Sequence, residues 1–111
     1  MKCLLFGVFL KPGMLKKYED FTAEITGPRR KEYIALLKRY GLKTVKVWHE
    51  KVAGRDYVMI FHEIEEDARE RLKGWASSTH PFDIWFGEKL NQCYERFPDP
   101  AHLLFEFDAR H

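Results

Sequence analysis

The chain has 111 residues, 45% hydrophobic and 15% aromatic, and 19 basic against 17 acidic residues leave a net charge of +2. A chain of this length fits a single domain that buries roughly two thirds of its unfolded surface, which excludes disorder and removes any need for a metal or disulfide staple. The charge is too evenly balanced for a nucleic-acid or membrane footprint, and Arg29-Arg30-Lys31 runs straight into Glu32 as a solvated helix start would.

Residues 2–10 are apolar at nearly every position and stop at Lys11-Pro12-Gly13, the pattern of a buried strand. The run is far shorter than the ~20 residues of a membrane helix. Lys11-Pro12-Gly13 also stands where a leader-peptide cleavage site would be, so a cytoplasmic protein is expected. From Met14 the period changes: Met14, Tyr18, Phe21 and Ile25 form an amphipathic helical stripe. Gly27-Pro28 interrupts it, Pro28 restarts it, and Tyr33, Ile34, Leu37 and Tyr40 carry an apolar face until Gly41.

Residues 42–50 and 55–64 are β-branched and aromatic runs joined at Ala53-Gly54, which predicts a hairpin. A two-residue turn there pairs Val52 with Arg55, and so sets Val47 opposite Ile60 and His49 opposite Val58. Residues 65–76 read as a helix with Ala68, Leu72, Trp75 and Ala76 on one side. Ser77-Ser78-Thr79-His80-Pro81 reads as a helix start with a hydroxyl cap and a first-turn proline. The helix that follows carries Phe82, Trp85, Phe86, Leu90 and Cys93 on one stripe, and residues 101–109 read as a last strand.

The order is βαββαβ, an α+β fold of ferredoxin-like type with an antiparallel sheet, spanning residues 1–111 as one domain. Strands one and three are apolar on both faces: Val58, Ile60 and Ile64 lie on one side of strand three, and Tyr57, Met59 and Phe61 on the other. Helices cover only one face of such a sheet. A second copy packing sheet against sheet, a dimeric α/β barrel, would cover the other, so a homodimer is expected.

If Val45, Val47, Val58 and Ile60 face the helices, then Lys46, Trp48, Tyr57, Glu63 and Glu106 face the barrel interior or its mouth. There they could bind a small polar molecule, with carboxylates able to move protons. Paired charges at a dimer rim are the alternative, and the two faces could be exchanged. His49 and His62 share a face and read as core histidines satisfied by one hydrogen bond. His80, at a helix start, is a candidate base, while His102 and His111 suggest nothing. Cys3 and Cys93 lie far apart, match no metal spacing, and read as buried free thiols in a reducing compartment. No nucleotide-binding, nucleophile-elbow or zinc-protease motif is present.

The segment Ser78-Thr79-His80-Pro81-Phe82-Asp83-Ile84-Trp85-Phe86 resembles the ST-x5-WW stretch of L-rhamnose mutarotases, small dimeric α/β-barrel enzymes that interconvert sugar anomers without a cofactor. Tyr18, the ending Leu37-Lys38-x-x-Gly41 and Glu63-Ile64-Glu65 have similar counterparts in that family. The resemblance implies sugar contacts at Tyr18, Val45, Trp85 and Phe86, and it places Thr22 where the family carries its proton-donating histidine. Val45 replaces a tyrosine and Phe86 a tryptophan. Because threonine cannot act as a general acid near neutral pH, His80 and Glu106 become the candidate acid/base groups. Tyr18, Thr22, Trp85, Phe86, Trp48 and Lys46 are the candidate ligand contacts.

The expected function is cofactor-free binding of a small polar, sugar-like ligand, with a mutarotase- or epimerase-like isomerase as the candidate activity. A cofactor-free monooxygenase or haem-degrading relative, or a non-catalytic ligand-binding or dimerisation module, is the alternative.

Overall fold

A computed structural model describes residues 2–110. Its elements in chain order are strand β1 (Cys3–Phe9), helices α1 (Leu15–Thr26) and α2 (Arg30–Arg39), and strands β2 (Lys46–Val52) and β3 (Arg55–Glu63). A short helix α3 (Ala68–Leu72), a 3₁₀ turn at Trp75–Ser77 and helix α4 (Pro81–Cys93) follow. The strands form one antiparallel sheet in the order β1-β3-β2.

The hairpin has the expected register, with Val52 opposite Arg55 and Val47 opposite Ile60. Ala53 (φ 52°) and Gly54 (φ 77°) both take positive φ, the signature of a type I′ turn whose twist matches the flanking strands. Leu42 bridges Ile64 while Lys46 pairs with Phe61, so β2 carries one extra residue at its start. This bulge is why regular pairing begins at Lys46 and not at residue 42.

Gly41 (φ 70°) ends α2 in a Schellman arrangement: Leu42 N–H donates to Leu37 O (2.8 Å) and Gly41 N–H to Lys38 O (3.3 Å). The helix expected over 65–76 is broken at Gly74 into α3 and the 3₁₀ turn. Pro81 does open α4, but the capping position belongs to His80, whose side chain forms no cap bond. Instead, the Ser78 hydroxyl accepts from His80 N–H (3.2 Å) and donates to Asp83 Oδ2 (2.7 Å).

Leu4, Val8 and Leu10 of the first strand segment and Val58, Ile60 and Ile64 near β3 face the helices and are buried against Tyr18, Phe21, Ile25, Leu36, Phe86 and Leu90. The other face carries Leu5, Phe9, Tyr57, Met59, Phe61 and Trp48, and no helix lies over it. Trp48 is 51% and Leu5 45% exposed, so the uncovered apolar face expected from the sequence is present.

Two expectations are corrected. Cys3 is exposed, because odd positions of β1 point to the uncovered face; only Cys93 is buried. Residues 101–109 form no strand within the chain. Glu95 N–H donates to Phe9 O (2.9 Å) and Ala101 N–H to Leu5 O (2.7 Å), but the segment then leaves the sheet.

Candidate functional site

Between the helix-facing side of the sheet and helices α1, α2 and α4 lies a cavity of about 130 Å³. Its wall is mostly carbon. Phe6, Phe21, Phe86 and Trp75 supply aromatic faces, while Ile25, Leu36, Val45, Val47, Ile60 and Leu90 supply aliphatic ones. A dry cavity of similar volume, about 150 Å³, accepts one benzene ring.

The polar groups are few. The Tyr18 and Tyr94 hydroxyls hydrogen-bond to each other at 2.9 Å. Thr22 lines the wall, but its hydroxyl already donates to Glu19 O at 2.8 Å, one turn back in α1. The Tyr33 hydroxyl has no hydrogen-bond partner among the described residues. Burial pushes its phenol up to about 12. Burial raises Tyr18 and Tyr94 as well, Tyr94 well above the ordinary phenol range. All three phenols therefore stay neutral near pH 7 and act as hydrogen-bonding groups, not bases.

His62, on β3, adds an imidazole to the wall. Its Nδ1 lies 3.0 Å from Thr44 O. A carbonyl oxygen can only accept, so Nδ1 carries the proton. Burial lowers the imidazole below its ordinary value, against the opposing pull of that backbone bond. The ring is thus neutral near pH 7, with an unprotonated Nε2. The bulge at the start of β2 is what brings the Thr44 carbonyl to this ring.

Among the residues singled out from the sequence, Tyr18, Thr22 and Phe86 meet in this cavity, with Val45 beside them. Trp85 lies at its back. It packs on Phe21 and Phe82, and the Arg29 guanidinium covers its ring at 4.0 Å. Arg29, at the break between α1 and α2, thereby covers one face of Trp85, which is half-buried.

Lys46 and Trp48 lie on the opposite face of the sheet, since each pairs with an outward residue of β3, Phe61 and Met59. His80 is exposed at the start of α4, and Glu106 is exposed in the segment beyond the sheet. His62 was legible only as a core histidine. It is indeed satisfied at one nitrogen, and nothing in the alternation of β3 signals that its ring also borders a cavity. Among the described residues no cluster of histidine, cysteine and carboxylate groups is arranged to hold a metal ion.

No protein-family model and no curated protein sequence matches the chain. Solved structures do. An L-rhamnose mutarotase from Formosa agariphila superposes with a TM-score of 0.63 at 15% identity, over 97% of this chain and 100% of its own. Tetracenomycin F2 cyclase from Streptomyces glaucescens, a type-II polyketide cyclase, superposes with a TM-score of 0.62 at 16% identity, over 98% and 99%. The chain shares their ferredoxin-like α+β fold, with its antiparallel sheet covered by helices on one face. PA3566 from Pseudomonas aeruginosa shares it at a TM-score of 0.51 and 14% identity, over 93% of each chain. Identities this low carry the fold and nothing about the reaction.

Proposed function

We propose that this chain binds a small molecule in the helix-side cavity, that the ligand inserts one flat, largely apolar ring, and that His62 is its proton acceptor. The carrying observation is the cavity wall: aromatic and aliphatic nearly throughout, with a neutral imidazole and an unpartnered Tyr33 hydroxyl as its reactive polar groups. A phenolic or enolisable ring fits this chemistry. Its faces meet carbon, its oxygen takes a hydrogen bond from Tyr33, and a proton passes to His62 Nε2 with no cofactor. Two copies pairing through the uncovered sheet face complete the molecule in this reading. The polyketide cyclase among the structural neighbours supports a ring-bearing ligand.

A sugar is the second reading, favoured by the mutarotase neighbour and by Tyr18, which keeps its matching place in the wall. It fits less well, because each pyranose hydroxyl left unpaired in this wall costs about 1–3 kcal/mol. In that reading His62 would carry the proton that Thr22 cannot.

Titrating the protein with 2-naphthol and, separately, with L-rhamnose separates the two, read by saturation-transfer NMR and by emission of Trp75 in the wall. Naphthol should bind, and Tyr33→Phe should weaken it about three- to tenfold. Binding of rhamnose alone would favour the sugar. Binding of neither would sink the ligand reading.

A further inference from the structure

We infer that Phe97 is the specificity-determining residue of the cavity: a two-residue bulge opposite β1 sets its ring at the mouth, where it forms a flat platform for a second, fused ring of the ligand. This rests on the reading that a ring enters the cavity, and it adds how far the ligand reaches beyond it.

The bulge follows from backbone register. Past α4 the chain runs back along β1, where Tyr94 bridges Leu10 and Glu95 N–H donates to Phe9 O (2.9 Å). Further on, Ala101 N–H donates to Leu5 O (2.7 Å). Between those two bonds β1 covers four residue steps, Phe9 to Leu5, while the returning chain covers six, Glu95 to Ala101. Two residues are therefore in excess. Pro98 and Pro100 fall inside the interval, and neither can donate a ladder hydrogen bond. The chain leaves register there, and a bulge re-aims the side chains it carries.

Phe97 and Pro98 are turned onto the cavity wall. Phe97 nevertheless stays 50% exposed and lies outside the buried cluster that joins the helices to the sheet. A side chain that touches both the cavity and solvent stands at the mouth. Its ring meets the buried Tyr94 ring edge-on, with centroids 6.5 Å apart and planes at 81°. That contact holds the ring at one side and leaves half of its surface uncovered.

The cavity has room for one ring, at about 130 Å³. A single-ring ligand would leave Phe97 in water. A second ring fused to the first is carried outward through the mouth, and there it meets Phe97, with the gain that aromatic pairs show beyond the area they bury. The wall also meets solvent at Val47 on the β2 edge, where a branched aliphatic side chain offers no flat face.

Calorimetric titration of the intact protein with phenol and with 2-naphthol, which differ by one fused ring, tests this. Phe97→Ala should weaken naphthol about three- to tenfold and leave phenol within about twofold. Phe97→Tyr keeps the flat ring and should behave as the parent. Phe97→Leu keeps bulk without the ring and should behave as Phe97→Ala, for which it substitutes if the urea midpoint shows the alanine variant unfolded. Equal weakening of both ligands, or naphthol binding indifferent to position 97, would overturn the platform while leaving the ligand in its cavity. A parent that binds neither compound would overturn the cavity reading and the platform with it.

Discussion

At the scale of single residues, one buried and one half-buried titratable group set distinct pH windows. Asp83 is 1% exposed, at the first turn of α4. Burial alone would push its carboxyl up. Hydrogen bonds from Arg39, Tyr40 (2.7 Å) and Ser78 (2.7 Å), with the Arg39 charge, outweigh that and hold it below the ordinary 3.8. Its stabilisation is therefore complete above pH 3.8 and is lost as pH falls through the lower, folded value. Asp83→Asn leaves the Arg39 guanidinium against a neutral partner and should cost about 3–5 kcal/mol in urea unfolding. His62 works higher on the scale. Its folded value lies below 6.5, so the unfolded chain takes up the proton first as pH drops. Stability should decline from about pH 6.5 down towards the folded value and then level off. His62→Gln should remove that decline, as seen by comparing urea midpoints at pH 7.5 and 5.5. An unchanged pH dependence would mean that His62 is not held neutral by burial.

At the scale of elements, the β2–β3 hairpin is the most self-determined unit. Its one local cost is Ala53 in the left-handed region (φ 52°), where a Cβ crowds the backbone and glycine or asparagine does not. Ala53→Gly should therefore raise stability, by about 0.5–1 kcal/mol, and the gain should appear as a higher urea midpoint with an unchanged slope. The same locality explains what the sequence could disclose. A two-residue turn and period-two alternation determine register within the hairpin, so Val47 opposite Ile60 followed from the residues alone, while which face meets the helices stayed open until the elements were placed. The stripes of α1 and α4 likewise placed Tyr18 and Phe86 inward. What local pattern does not carry is where a segment finds its partner. Residues 101–109 alternate like a strand, yet their pairing depends on how much of β1 is left when they arrive. Glu106 could not be located for that reason. His62 and Trp85 were misweighted for another: whether a ring on an apolar face meets a cavity, or is capped by Arg29 from the α1–α2 break, is decided by three elements meeting in space.

At the scale of the whole molecule, the uncovered sheet face is the surface through which the proposed pairing of two copies would form. Gly7 keeps this face flat, since a Cβ there would stand 2.0 Å from the Tyr57 hydroxyl lying across it. Phe9 meets the same Tyr57 ring edge-on, with centroids 4.8 Å apart, and Trp48 stands beside Met59 on the neighbouring strand. A level, aromatic sheet surface suits a second sheet at about 10 Å, the spacing of packed sheets, far better than it suits water. Trp48 stands apart from the buried cluster that holds the helices to the sheet. Trp48→Glu should consequently spare the fold and strike the pairing. Its far-UV circular dichroism should match that of the parent, while the dimer proposed for the parent should give way to a monomer in sedimentation at micromolar concentration. Because Trp48 also lies on the side of the sheet away from the cavity, naphthol binding should persist in the monomer. If Trp48→Glu leaves the assembly at full strength, the two copies do not meet through this face, and its exposed aromatics must serve another partner.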